Sequence, residues 1–515
     1  METTLPHALM TVLSLLPILG LLVLLIVIRL SVAKSGAISL AIALAIALAF
    51  FGLNAFGIIV AVGKALSLAL FVSLIVWGAL LLYHLVDGFK AIDVINKNFV
   101  ILVEDNFIAF ALLAWLFTGV FQGMAGFGVP VVIVAPILIA LGFDKVKSLS
   151  AVLLGHTWAV TFGSMGAAFF IIQMLTGVPY EQLGFPMWIF NAIAILGTGF
   201  GVCWLYDGLK GIKKGLAYVV PVSAIMVLVQ YFTIALRLYS LASLLTAIVG
   251  LAAMLILYKL RNKTKSKRGL YSAELTLFQS VLPYAVILVF AMLFQFLPEA
   301  LRDISVSFSF PGTQTALGYI VRPEVGYARI RLFGHPAVLL LAAAAVALIV
   351  FRRAGGGEYS SVIKEALKKT VKKGVPATLA LLALGNMSLI MMDSGMTYLL
   401  SYSIAELTGR FYPFVAPFFG VLGSFLTGNN TNSNILFGSF QYTIAQRLEV
   451  SGAVMAAAQS LSGAVGVAIG PTLVLMGALS AKLEGQESLI YRKLIVIVLI
   501  IALAMGAANF LLLRA

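Results

Sequence analysis

The sequence has one cysteine, Cys203, only four histidines, and few charges: 10% of its 515 residues are Asp, Glu, Lys or Arg. A lone cysteine excludes an internal disulfide. Four scattered histidines without an HExxH spacing argue against a membrane metalloenzyme, and no metal-ligand set is expected. Soluble domains carry about 25% charged residues, so this chain lacks the polar cover that a water-exposed surface needs. Soluble enzyme, nucleic-acid binder, disordered protein and secreted disulfide scaffold are therefore excluded. What the chain has instead is apolar: 62% hydrophobic residues and a mean hydropathy of +1.09. A bilayer is the solvent for such a chain, and at roughly 20 residues per span it has room for a dozen or more helices.

The net charge of +15 is distributed in short polar stretches between apolar runs. The clearest are residues 259–268, then Arg352 and Arg353, then Lys364, Lys368, Lys369, Lys372 and Lys373. Lysine and arginine concentrate in cytoplasmic loops, so these stretches read as inside, facing anionic lipid headgroups rather than nucleic acid. The first apolar run, residues 8–28, follows no basic segment and precedes no cleavage pattern, so it reads as a retained helix.

Apolar runs fall at 8–28, 37–62, 65–86, 149–173, 186–206, 215–236, 238–258, 278–297, 335–351, 374–400, 451–476 and 493–513, which predicts twelve crossings. Two further stretches, 106–142 and 411–447, are interrupted halfway by glycine-rich or polar clusters. The arms 107–121 and 129–141 would be about 22 and 20 Å long as helices, short of a ~30 Å hydrocarbon core. Both stretches read as re-entrant helical hairpins, with two complete crossings each as the alternative. Setting 259–268 inside places 297–334 outside and 352–373 inside, and working backward puts Lys210, Lys213, Lys214, Lys145, Lys147, Arg29 and Lys34 inside. Both termini are then outside, and the two hairpins open to opposite sides. The expected fold is an all-α polytopic membrane protein, one domain over 1–515, with inverted-topology repeats at 36–206 and 278–513.

The first interruption reads Gln122-Gly123-Met124-Ala125-Gly126-Phe127-Gly128-Val129-Pro130. Glycines permit the reversal and uncover backbone N–H groups, and Pro130 suits the first turn of the arm that follows. The second reads Gly428-Asn429-Asn430-Thr431-Asn432-Ser433-Asn434, rich in residues that cap helix starts. Each predicts a helix N-terminus inside the membrane, with orphan N–H groups and about half a positive charge. Two such ends suit a small carboxylate, with Gly126, Phe127, Gly128, Asn430, Thr431, Asn432, Ser433 and Asn434 as candidate contacts. Tight packing of the glycines and simple helix capping are the plainer alternatives. Six consecutive polar residues deep in an apolar region weigh against them at the second tip.

At these residues the chain resembles the L-lactate permease family of bacterial and archaeal 2-hydroxymonocarboxylate transporters. The matching stretches are GMAGFGVPVVIVAPILIALGF (123–143), TWAVTFGSMG (157–166), MMDSGM (391–396) and FYPFVAPFFGVLGSFLTGNNTNSNILFGSFQYTIAQ (411–446). The resemblance implies import of lactate and glycolate with protons, on an inverted-repeat architecture in the plasma membrane. The chain departs from the family's pattern at four places. Gln122 and Asn430 stand where acids are usual, His156 where an asparagine is usual, and Val467 where a lysine is usual. The departures touch substrate choice and proton coupling rather than fold.

Among ionisable residues, His156 lies about nine residues into the helix beginning near Lys147, roughly 13 Å deep. Histidine can change charge near physiological pH, so His156 is the first candidate for ion coupling, and a satisfied interior histidine is the plainer reading. Asp393 is the second candidate, with buried and interfacial placements equally open. Asp87, Glu104, Asp105 and Arg237 fall near helix ends and read as solvated. A channel and a structural membrane protein compete with a transporter. No cofactor is expected beyond a co-transported proton, with sodium as the alternative because the amide and hydroxyl oxygens of 429–434 could coordinate it. The expected partners are a small-molecule carboxylate and the lipid bilayer, with a homodimer left open.

Overall fold

The computed structural model describes residues 6–101, 104–126, 128–262, 275–352 and 359–514. It is that of an all-α polytopic membrane protein: among the described residues ten helices are long and apolar enough to cross a membrane. The amino-terminal part comprises α1 (His7–Ile26), α2 (Val32–Phe50), α3 (Ala55–Gly88) and α4 (Ala91–Ile101). Next come the arms α5 (Asn106–Ala125) and α6 (Val129–Ala140), then α7 (Lys145–Gly155) and α8 (Ala167–Thr176). The long helix α9 (Tyr180–Ala235), α10 (Ala242–Asn262), α11 (Leu277–Gln295) and α12 (Pro336–Arg352) lead to the second half. That half holds α13 (Tyr359–Asp393), α14 (Met396–Thr408), the arms α15 (Tyr412–Thr427) and α16 (Asn430–Arg447), α17 (Gly452–Gly466), α18 (Pro471–Ala481) and α19 (Glu487–Leu512).

One order of elements therefore occurs twice: a long helix, a short helix, a helical hairpin, a helix broken in its middle, and a final helix. The long helices α3 and α13 pack against each other, while the hairpins exchange partners. The second arm of each hairpin packs on the second half of the other unit's broken helix, α6 on α18 and α16 on α8. Helix starts are fixed locally by side-chain caps. Ser31, Asn54, Asp105, Asp144, Asn429 and Ser451 each accept a backbone N–H from the first turn of the helix that follows. Asp105, at the base of the first hairpin, also takes the Lys214 ammonium at 3.0 Å. Burial works to raise its carboxyl, but Lys214 and the Phe107 and Ile108 N–H groups hold it below the usual range.

The expected runs needed several corrections. Runs 37–62 and 65–86 do not meet at residues 63–64; the chain breaks at 51–54, where Asn54 caps α3, and continues unbroken to Gly88. The run 374–400 is split at Ser394 and Gly395, because Gly395 takes φ +89° and starts α14. The runs 149–173 and 451–476 are interrupted at 156–166 and at 467–470, so neither is a continuous helix. The loop 297–334 carries two small antiparallel β pairs: β1 (Ser305–Phe310) with β4 (Glu324–Arg331), and β2 (Thr313–Gln314) with β3 (Ile320–Val321). The first hairpin arm also extends to Ala125 rather than 121, about 30 Å in all. Runs 186–206 and 215–236 lie in one helix whose backbone leaves helical geometry at Asp207 and Gly208. Most of the basic stretch 259–268, together with Arg353, lies outside the described residues.

Candidate functional site

The starts of four helices, α6, α8, α16 and α18, meet around one cavity of about 480 Å³, which the start of α2 at Ser31, Val32 and Ala33 also borders. Gly128 ends the first tip with φ +83°, a conformation that only glycine adopts without strain, and turns the chain into α6. Asn429 ends the second tip, and its Oδ1 accepts the Thr431 N–H at 2.7 Å. The first four N–H groups of a helix have no partner within it, so this cap satisfies one and leaves others of α16 for a ligand. The remaining two starts come from the broken helices. Gly166, at φ +83°, introduces α8, and Gly470 followed by Pro471 introduces α18. Gly128, Ala167, Ala168, Asn429, Asn430, Thr431, Asn432, Thr472 and Leu473 all line the cavity. The starts of four helices thus bring partial positive charge to one space.

The side chains add to that sign. Among the described residues lining the cavity, Lys372 and Lys373 are the charged ones, and no acid is present. His156 closes α7 and is 1% exposed. Its Nδ1 lies 2.9 Å from the Val152 carbonyl oxygen, which can only accept, so Nδ1 carries the proton. In the neutral ring Nε2 is then a bare acceptor. Polar groups with an excess of donors and cations, and no carboxylate, suit a small anion.

The two tips contribute unequally. At the first, the Val129 N–H is donated to Gly126 O (3.0 Å) and the Val131 N–H to Gly128 O (3.1 Å), while Pro130 has none. Gly126 is covered rather than open: a Cβ there would meet Ser164 Oγ and, at 2.8 Å, Gln122 Nε2. Phe127 lies outside the described residues. At the second tip Asn430, Thr431 and Asn432 line the cavity, but Ser433 and Asn434 turn away from it into packing. Ser433 Oγ donates to Gly420 O at 2.9 Å, and Asn434 Nδ2 to Ala168 O at 3.0 Å and to Ser460 Oγ at 2.9 Å. Gln122, Ser164, Thr427 and Thr472 also reach the cavity wall. The Gly470-Pro471 pair, a helix stop followed by a helix start, was the sequence signal for Thr472.

Asp393 does not line this cavity. It is fully buried, with Oδ2 3.4 Å from the Lys64 ammonium, whose other partner is Glu324 Oε1 at 2.7 Å. Lys64 is itself buried in α3, ten residues from its start, so the cluster joins α3, the end of α13 and β4. Of the end-helix residues, Arg237 pairs with Glu181 at 3.3 Å on the exposed surface, as a solvated residue should.

Fold and cavity together define a multi-pass helical membrane protein with a cavity at converging helix ends that no acid lines among the described residues. The chain belongs to the L-lactate permease family, which it matches over residues 10–514. It is 25% identical to the glycolate permease of Escherichia coli K12, with 97% of this chain and 94% of that protein covered. It is 27% identical to the L-lactate permease of Streptococcus iniae over 74% of this chain and 79% of the relative. Against the L-lactate permease of Escherichia coli K12 the identity is 26%, covering 81% and 80%. The family is one of permeases rather than enzymes.

Proposed function

We propose that this protein imports small monocarboxylates of the L-lactate and glycolate class across the cell membrane, by proton symport with alternating access. The observation that carries the reading is the convergence of four helix starts and two lysines on a cavity without an acid. A carboxylate at the second tip would accept from the unpaired N–H groups of α16 and from the Asn and Thr side chains beside them. Charge-assisted bonds of this kind contribute about 1.5–3 kcal/mol each.

The element order repeated in the two halves supports inverted-topology repeats over 36–206 and 278–513. With the lysine-bearing end of α13 inside, the cavity opens to the cytoplasm, and the protein stands in an inward-facing state. The proton is assigned to His156: protonated at Nε2, it would face the cavity as a donor beside the bound carboxylate, and each would favour the other. Asp393, held by Lys64 away from the cavity, is the weaker coupling candidate.

Uptake of labelled L-lactate, glycolate and acetate into proteoliposomes, with pH and sodium gradients imposed separately, tests the reading. Accumulation of a 2-hydroxy acid driven by an inward proton gradient is the expected result. No accumulation of any of the three under either gradient would refute it. Accumulation that follows sodium alone would move the coupling to a metal cation.

A further inference from the structure

Behind the second tip, beside Gly463 of α17, two buried side-chain oxygens are left without hydrogen-bond partners among the described residues. Asn430 Nδ2 donates to Thr161 Oγ1 at 3.2 Å, which aims the amide oxygen toward Gly463 of α17. That oxygen, Asn430 Oδ1, has no hydrogen-bond partner among the described residues, and neither has Ser424 Oγ. Asn430 is 1% and Ser424 0% exposed. A Cβ built on Gly463 would meet Asn430 Oδ1 first, then Ser433 Oγ at 3.2 Å and Ser424 Oγ at 3.3 Å. Three oxygens from both arms of the hairpin therefore surround the space that this glycine leaves open.

The chemistry of the set selects its ligand. Ser433 Oγ spends its proton on Gly420 O and accepts from Gln459 Nε2 at 3.2 Å, and an amide oxygen can only accept. With the Ser424 hydroxyl turning its proton outward, the three oxygens present lone pairs to one another, which repels an anion and calls for a donor or a cation. Divalent hard cations draw on carboxylates, and among the described residues no cluster of three His, Cys, Asp or Glu could hold a metal ion. Ser424 also stands in the last turn of α15, where the helix dipole favours positive charge. A neutral oxygen set, with Ser424 at the carboxyl end of one arm and Asn430 and Ser433 in the first turn of the other, fits a dehydrated monovalent ion rather than a divalent one.

We propose that Asn430 Oδ1, Ser424 Oγ and Ser433 Oγ form a sodium site that ties the two arms of the second hairpin together, in the space left beside Gly463 of α17. Asn430 is shared: its residue lines the carboxylate cavity while its amide oxygen faces the ion. Sodium would therefore hold the start of α16 in the geometry the carboxylate needs, and occupation of one site would strengthen the other. This step rests on the reading of the cavity as the carboxylate's site.

Thermal unfolding of the purified wild-type protein, in NaCl against choline chloride at equal ionic strength, with and without L-lactate, tests it. Sodium alone should raise the melting temperature saturably, and it should tighten the lactate response. Ser424→Ala removes one ligand and should weaken the sodium half-saturation at least about tenfold. Gly463→Ala, whose Cβ enters the oxygen group, should abolish the sodium response. Equal melting in sodium and choline for the wild type would overturn the site, leaving a buried water as the partner of these oxygens. So would a Ser424→Ala protein with the wild-type sodium response. A sodium shift without any lactate shift would uphold the ion site and refute the carboxylate reading, so the two failures are distinguishable.

Discussion

Replacing Lys64 by methionine would leave the fully buried Asp393 without its cation, so that its carboxyl must either bear an unpaired charge or take up a proton. Removing one partner of a buried ion pair costs about 3–5 kcal/mol. Glu324, the other acid on Lys64, has a side chain 35% exposed and can turn to water, so its loss adds about 1 kcal/mol or less. Asp393→Asn is a milder change, because Lys64 keeps Glu324 at 2.7 Å and the amide preserves the shape. We expect it to cost about 1–2 kcal/mol. In Lys64→Met/Asp393→Asn no buried charge remains, so the double variant should be more stable than Lys64→Met alone, with a coupling energy of about 2–3 kcal/mol. Denaturant or thermal unfolding of the four proteins in one detergent measures the cycle. A double variant less stable than Lys64→Met would refute the argument that the lysine is there to neutralise Asp393.

Gly128→Ala places a Cβ against the end of Met476 at a backbone φ of +83°, so it should cost about 1 kcal/mol or more and impair transport, read as lost uptake with protein still inserted. Thr431→Ala, on the cavity wall, should weaken carboxylate binding roughly ten- to a hundredfold, read by titration of the purified protein. Lys372→Gln with Lys373→Gln should lower carboxylate affinity and flatten its dependence on ionic strength, because the long-range attraction is screened within about 8–10 Å at physiological salt. Cysteines at 300–330 should be labelled only from outside and ones at 359–372 only from the cytoplasm; labelling of both from one side would sink the proposed orientation.

The apolar runs and the two interrupted hairpins could be read from sequence because membrane spans are long and hydropathy sums over many residues. Errors arose where one residue decides a boundary. Lys64 sits between two apolar runs and resembles a loop, yet a buried acid 329 positions away lets it lie within α3. The breaks at 156–166 and 467–470 were hidden because alanine and glycine suit close-packed helices and bends alike. Two helix starts were therefore anticipated and four are present. Ser433 and Asn434 share the composition of their neighbours, but helical rotation turns them toward Gly420 and Ala168 rather than the cavity. Composition located the tip; the choice among its side chains depended on which direction each one faced.

Binding an anion and accumulating it are separate physical tasks, and in the proposed function they fall to different groups. The four helix starts would attract a carboxylate, but fixed dipoles do not respond to an ion gradient. Moving one negative charge into a negative interior costs about 2.3 kcal/mol per 100 mV, so a good anion site alone would leave the substrate outside. Accumulation needs a group on the cavity wall that gains a cation with the substrate and releases it afterwards. His156 can do this with a proton, because Nδ1 is committed to Val152 and Nε2 is left to titrate against the carboxylate. Gln122 and Asn430, also on that wall, cannot titrate. We expect His156→Asn to keep exchange of labelled for unlabelled substrate, since the helix starts are untouched, and to lose accumulation driven by an inward proton gradient. Counterflow and gradient-driven uptake in the same vesicles measure the two properties apart. Accumulation with the wild-type pH dependence in that variant would show that the histidine only fills space.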